Sequence, residues 1–314
     1  MEYFKPARLS EMSLGLGKRT RLTRMMYENG VKNGTLIILP IDQGLEHGPM
    51  DFFENPDAKD PLFELELAEK GGYSAFACHY GLAKKYFFHA AGHIPLILKI
   101  NGKTNIPGDA SAFSPLTATV EDAIALGADA IGYTMFIGSP AQDRDIAQVM
   151  QVRRDCDKFG MPLIVWAYPR GDAIISKGGI DTLYAVDYAA RVACEVGADI
   201  VKVNSPARAK ENERDTYFKF LEKKPETRPY IELENASDED RMRRVVQSAG
   251  RTFVLVSGGG KIGDADLVGK TEFCMKAGAI GLIYGRNMWQ RPMDHALAMT
   301  HEIKEMLQRY PRPY

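Results

Sequence analysis

One joint recurs along this chain of 314 residues and limits its fold more than any other feature. A helical segment stops at glycine, and a short apolar strand follows at once. It occurs as Gly71-Gly72-Tyr73 before Ser74–Cys78 and as Gly127-Ala128-Asp129 before Ala130–Thr134. It recurs as Gly197-Ala198-Asp199 before Ile200–Val203 and as Ala277-Gly278-Ala279 before Ile280–Tyr284. Glycine accepts the left-handed conformation that ends a helix, and unbroken apolar runs suit strands covered on both faces.

Four further apolar runs fill the gaps: Leu36–Ile41, Leu96–Ile100, Leu163–Ala167 and Phe253–Val256. Segments of helical spacing separate them, at about 62–70, 82–89, 120–126, 146–159, 183–196, 239–248, 266–276 and 293–307. Strands alternating with helices imply parallel βαβ units. Eight such units predict an α/β fold, a closed (β/α)8 TIM barrel forming a single domain over residues 35–314. An open doubly wound sheet competes. It would place G-x-G-x-x-G after the first strand, where Asp42-Gln43-Gly44-Leu45-Glu46-His47-Gly48 stands instead.

Two stretches fall outside the repeat. Residues 1–34 read as an N-terminal extension with a basic helix carrying Lys18, Arg19, Arg21 and Arg24, expected to form a solvated face or a subunit contact. Residues 204–240, rich in charge and proline, form a long excursion after strand six, open to roles as a lid, a subunit contact or decoration.

Charge excludes some functions. A net charge of -1 gives no electrostatic case for nucleic acid or an anionic membrane. The start, Met1 to Pro6, lacks the pattern of a secretory signal, and the apolar stretch from Ala123 to Gly138 is broken by Asp129. Cys78, Cys156, Cys194 and Cys274 are scattered, which suits a reduced, cytoplasmic setting. His47, His79, His89, His93, His295 and His301 show no metal-ligand spacing, so no metal is expected.

A barrel builds its site from the C-terminal ends of the strands. There the chain places Asp42, Lys99, Trp166, Tyr168, Arg170, Lys202, Ser257-Gly258-Gly259 and Gly285-Arg286. Glycines and a following helix start favour phosphate, and Ser257 and Arg286 add a hydroxyl and a fixed charge. Lys202 interrupts the apolar strand Ile200–Val203. Alternation puts it on the face of Ile200, and the barrel interior is where an amine is more easily satisfied. Desolvation there would lower its pKa and make it a nucleophile toward carbonyls. Lys99, by the same spacing, competes for that role. Tyr168 is the natural proton carrier, its phenol expected to be lowered by a nearby cation. Trp166 would wall the pocket, and Arg170 could hold a second phosphate.

Taken in order, Leu39-Pro40-Ile41-Asp42-Gln43-Gly44-Leu45-Glu46-His47-Gly48-Pro49, Leu98-Lys99-Ile100-Asn101-Gly102-Lys103-Thr104, Val165-Trp166-Ala167-Tyr168-Pro169-Arg170-Gly171, Gly197–Lys202, Ser257-Gly258-Gly259 and Gly285–Arg291 make the chain resemble archaeal-type (DhnA-type) class I fructose-bisphosphate aldolases. The resemblance implies a Schiff base on Lys202 and proton transfer by Tyr168, with Asp42 near the substrate hydroxyls. It implies contacts to a phosphorylated sugar from Gln43, His47, Lys99, Trp166, Arg170, Ser257, Gly258, Gly259, Gly285 and Arg286. It also implies no cofactor beyond the lysine, and a homo-oligomer, decameric in similar enzymes. Related barrels that make 2-amino-3,7-dideoxy-D-threo-hept-6-ulosonate are the alternative, and a phosphate-binding barrel without turnover is a third. Gln43 stands where many archaeal members have histidine, and Gly260 where proline is common.

Overall fold

The computed structural model describes residues 6–314. The first five residues of the expected extension lie outside them, and with them most of the segment read for a secretory signal. Eight strands close into one parallel barrel in chain order: β1 (Leu36–Pro40), β2 (Ala75–His79), β3 (Leu96–Lys99), β4 (Ala130–Ile137), β5 (Leu163–Pro169), β6 (Ile200–Val203), β7 (Phe253–Ser257) and β8 (Gly281–Ile283). The ring closes where Leu36 pairs with Gly281. The joints behave as their glycines require. Gly72, Gly127, Gly197 and Gly278 all adopt positive φ, from 61° to 105°. No helix among the described residues is long and apolar enough to cross a membrane.

Every second strand residue points inward. Ile38, Ala77, Ile97, Ile164, Ile200 and Leu255 fill the lower barrel, while Leu39, Phe76, Leu98, Val165, Val201 and Val254 face the surrounding helices. Toward the C-terminal ends the inward positions become Lys99, Trp166 and Tyr168, Lys202 and Ser257.

The basic run is not simply a solvated face: Lys18 is buried, and Arg19, Arg21 and Arg24 are half-buried. The helix Leu16–Thr23 and the wider turn Arg24–Glu28 close the floor of the barrel. Leu9, Met12, Leu22, Met25 and Met26 are buried with the inward-facing strand residues, and each such side chain contributes about 2 kcal/mol. Lys18 reaches Asp199 at 2.8 Å and Asp157 at 2.7 Å, and Arg24 reaches Asp129 at 2.6 Å. These anchors include the aspartates of two Gly-Ala-Asp joints. Asp199 also accepts a bond from the Leu163 amide at 2.8 Å. Burial alone would push the Lys18 amine down; Asp199 and Asp157 outweigh it and hold the pKa above its usual value.

The excursion after β6 folds into helices Glu211–Glu222 and Pro229–Glu234. They pack on the outer helix Leu183–Glu195, where the Tyr184 and Phe220 rings stand 4.7 Å apart and Tyr217 and Leu221 are buried.

Removing one partner of a buried pair strands the other. Lys18→Met is therefore expected to cost about 3 kcal/mol in urea unfolding, because Asp199 is left without its cation. A loss below about 1 kcal/mol, the worth of an exposed pair, would show that the floor does not depend on this bridge.

Candidate active site

At the C-terminal mouth, a cleft of about 130 Å³ is lined by Asp42, Gln43, Glu46, His47, Tyr168, Arg170, Lys202, Asn204, Ser257, Gly258, Gly259, Gly285 and Arg286. The period of two along β5 and its continuation sends Trp166, Tyr168 and Arg170 the same way; along β6 it does so for Lys202 and Asn204. Of the residues singled out in the sequence, Lys99 and Trp166 do not line the cleft but adjoin it from inside the barrel. The Lys202 Nζ stands 5.1 Å from the Trp166 ring centre, and the Lys99 Nζ 5.6 Å from it. Gly132 on β4 makes room for both. A Cβ there would lie 2.8 Å from the Trp166 ring and 3.1 Å from Lys99 Cδ. A larger cavity of about 290 Å³ opens between residues 175–182 and 207–213, but it receives none of the inward strand-end side chains.

The two lysines differ in their surroundings. Lys99 donates to the Asn101 carbonyl at 2.7 Å and lies near Asn101 Oδ1 at 3.3 Å. Asn101 is itself fixed by the Thr134 amide at 2.7 Å and by the Thr134 carbonyl at 2.8 Å. Lys202 makes no side-chain hydrogen bond among the described residues; its amine lies over Trp166 and 5.4 Å from the Tyr168 ring centre. Burial brings Lys202 down to about 8, against the pull of Asp42 and Glu46, with Arg286 lowering it further. Burial brings Lys99 to about 8 as well, against Asp42 and Glu46. Burial would raise the Asp42 carboxyl, but Lys202, Lys99 and His79 outweigh it and hold it low. His79 is pushed down to about 4 by burial and by Lys99, so it is neutral.

Tyr168 corrects an expectation. Its phenol is raised well above the usual value, first by burial and then by Glu46 and Asp42, with Arg170 and Arg286 opposing. The resting residue is a protonated phenol.

Asp42 does not end a strand. It precedes the short helix Gln43–His47. Because that segment is helical and not extended, Glu46 and His47 do not point to opposite sides, and both reach the cleft. Glu46 was not singled out beforehand. His47 Nδ1 lies 2.6 Å from Asp51, which also faces Arg286 at 3.5 Å. Arg170 Nε pairs with Asp109 at 3.1 Å. Asn204, also unanticipated, donates to Asp181 at 2.8 Å and accepts from the Ser257 hydroxyl. Asn287 ties the loops after β7 and β8, donating to the Gly260 carbonyl at 3.0 Å and accepting from the Ile262 amide at 2.9 Å. No group of three or more His, Cys, Asp or Glu side chains among the described residues could hold a metal ion.

Residues 36–291 match the family described as DeoC/LacD family aldolase. A fructose-bisphosphate aldolase class 1 from Thermoproteus tenax is 35% identical over 91% of this chain and 94% of its own. One from Halobacterium salinarum is 34% identical over 88% and 91%. A solved archaeal fructose-1,6-bisphosphate aldolase, with its catalytic Lys covalently bound to the carbinolamine intermediate of the substrate, is 33% identical. It superposes with a TM-score of 0.74 over 90% of this chain and 99% of that one.

A small aldehyde with borohydride labels neutral, accessible amines. Labelling mapped by peptide mass is expected at Lys202, rising as pH passes about 8 and levelling above it, because the lowered pKa makes the reactive neutral form dominant there. Lys99, tied to Asn101, is expected to label far less. Equal labelling of both lysines would contradict this account of the site.

Proposed function

The chain belongs to the DeoC/LacD family of aldolases, and on that premise we propose that it is a Schiff-base fructose-bisphosphate aldolase of class 1. It cleaves fructose 1,6-bisphosphate reversibly to dihydroxyacetone phosphate and glyceraldehyde 3-phosphate. The observation that carries this reading is the Lys202 amine. It is free of hydrogen bonds among the described residues, lowered to about 8, and faces a cleft beside a phenol and two glycine-bearing loops.

In this mechanism neutral Lys202 attacks C2 of the substrate. The carbinolamine loses water to give an iminium. That cation takes up the electron pair when C3–C4 breaks, so the bond can be cleaved without a metal. The C4 hydroxyl loses its proton as the aldehyde half forms and leaves. The resulting enamine is protonated at C3, and water then releases the ketone half and restores the lysine. Tyr168 carries the proton between C4 and C3. Since its resting phenol is protonated, it first gives its proton to the hydroxyl that leaves the carbinolamine as water, and the fixed positive charge of the iminium holds the phenolate that then takes the C4 proton. The order is thus Schiff base first, cleavage second. Asp42 holds the charge balance of the two lysines and lies near the sugar hydroxyls. Trp166 supports the Lys202 stem. Ser257, Gly258, Gly259, Gly285, Arg286, His47 and Gln43 surround the phosphate on C1, and Arg170 meets the phosphate on C6.

The proposal extends to the setting. Residues 35–314 form the catalytic barrel with residues 1–34 as its extension. The enzyme is a cytoplasmic homo-oligomer working in sugar-phosphate interconversion of glycolysis and gluconeogenesis.

Two substitutions separate the roles. Lys202→Met, with native circular dichroism, is expected to lose turnover and the borohydride-trapped adduct with fructose 1,6-bisphosphate. Tyr168→Phe is expected to lower kcat about 100-fold to 10,000-fold while the adduct still forms. An adduct mapped to Lys99 in the native enzyme would overturn the assignment.

A further inference from the structure

Two acidic side chains sit on cations at two places on the rim of the cleft. After β1, Asp51 faces His47 and Arg286. After β3, Asp109 lies 2.9 Å from the Lys103 Nζ and 3.1 Å from the Arg170 Nε. In the eight-stranded ring β5 lies two strands from β7 and three from β8, so Arg170 stands apart from the glycine loops and Arg286 around the mouth. The Arg170 guanidinium is 5.3 Å from the Tyr168 ring centre, and the Lys202 amine is 5.4 Å from it. The cleft therefore runs from one arginine, past the lysine and phenol, to the other. On the β7–β8 side, the Ser257 hydroxyl donates to the Asn204 side chain and Arg286 faces Asp51 at a looser 3.5 Å. On the β5 side, Arg170 is the cation that lines the cleft, and its Nε is engaged by Asp109.

We propose that Asp109 is an internal competitor for the second phosphate of a bisphosphorylated substrate, and so restrains the preference for bisphosphates over monophosphates. This rests on the aldolase reading above. A phosphate dianion and the Asp109 carboxylate cannot share the Arg170 Nε without repulsion, so binding of the distal phosphate requires the carboxylate to give way. Asp109 can do so. It sits on a short turn, Asp109–Ser111, with its side chain 43% exposed, whereas Lys103 and Arg170 are 12% and 22% exposed. Lys103 is also held by its own loop, through the Thr104 carbonyl at 3.0 Å and Asn105 Oδ1 at 3.4 Å. It therefore stays in place to receive the carboxylate again when product leaves. A monophosphorylated ketose that fills only the β7–β8 side does not meet Asp109.

The test compares cleavage of fructose 1,6-bisphosphate and fructose 1-phosphate by the native enzyme and by Asp109→Asn. The substitution is expected to lower KM for the bisphosphate about twofold to fivefold, the scale of removing partly exposed ion pairs, and to leave kcat and KM for the monophosphate unchanged. In an Arg170→Gln background the same substitution is expected to leave KM where Arg170→Gln alone puts it, because the two groups act as one unit. An unchanged or raised KM for the bisphosphate would overturn the proposal. So would loss of both activities, which would make Asp109 a structural tie of its loop. Borohydride trapping in each variant keeps the aldolase reading separate: a trapped Lys202 with no selective change in KM removes the role of Asp109 alone.

Discussion

Two amines occupy the inside of this barrel, and the Asp42 carboxylate makes that tenable. A charged ammonium taken from water is costly unless paired. Lys202 and Lys99 lie near one another and would repel as well. Asp42, buried and held ionised by both of them, compensates the charge without fully restoring either lysine to its ordinary basicity. Both remain at about 8. The balance is incomplete, and reactivity lies in the remainder. A stronger counter-ion would leave a salt bridge, and a weaker one would leave neutral amines with little reason to stay in register.

Geometry then gives the two equal amines unequal tasks. The Asn101 carbonyl and side-chain oxygen collect Lys99. Lys202 has no hydrogen-bond acceptor among the described residues, and the faces of Trp166 and Tyr168 beside it orient a cation without consuming its donors. Gly132 is part of the same device, since any side chain there would push Trp166 and Lys99 out of place.

Much of this was legible because it is local. Glycine at a helix end, a short apolar run and alternation by two are all read within a dozen residues, and they located all eight strands and the inward set Lys99, Trp166, Tyr168, Lys202 and Ser257. What escaped depends on partners distant in the chain. Lys18 looked solvated because its partners Asp157 and Asp199 come from other units of the barrel. Tyr168 was expected to be acidified by a cation, but burial together with Glu46 and Asp42 outweighs Arg170 and Arg286. Glu46 was passed over because nothing local marks Gln43–His47 as a helix. Helical geometry there brings neighbours in sequence to the same cleft. Asn204 carried a weak signal, two residues beyond Lys202 on the same face, that alternation could have found.

The stoppered floor bears on traffic. With Leu9, Met12, Leu22, Met25 and Met26 packed into the lower barrel, the vessel has a single door. Substrate, both products and the hydrolytic water all pass through the mouth that carries the loops. The half-molecule that is not covalently held leaves by the same mouth through which water enters, so the shape of the barrel makes both share one path.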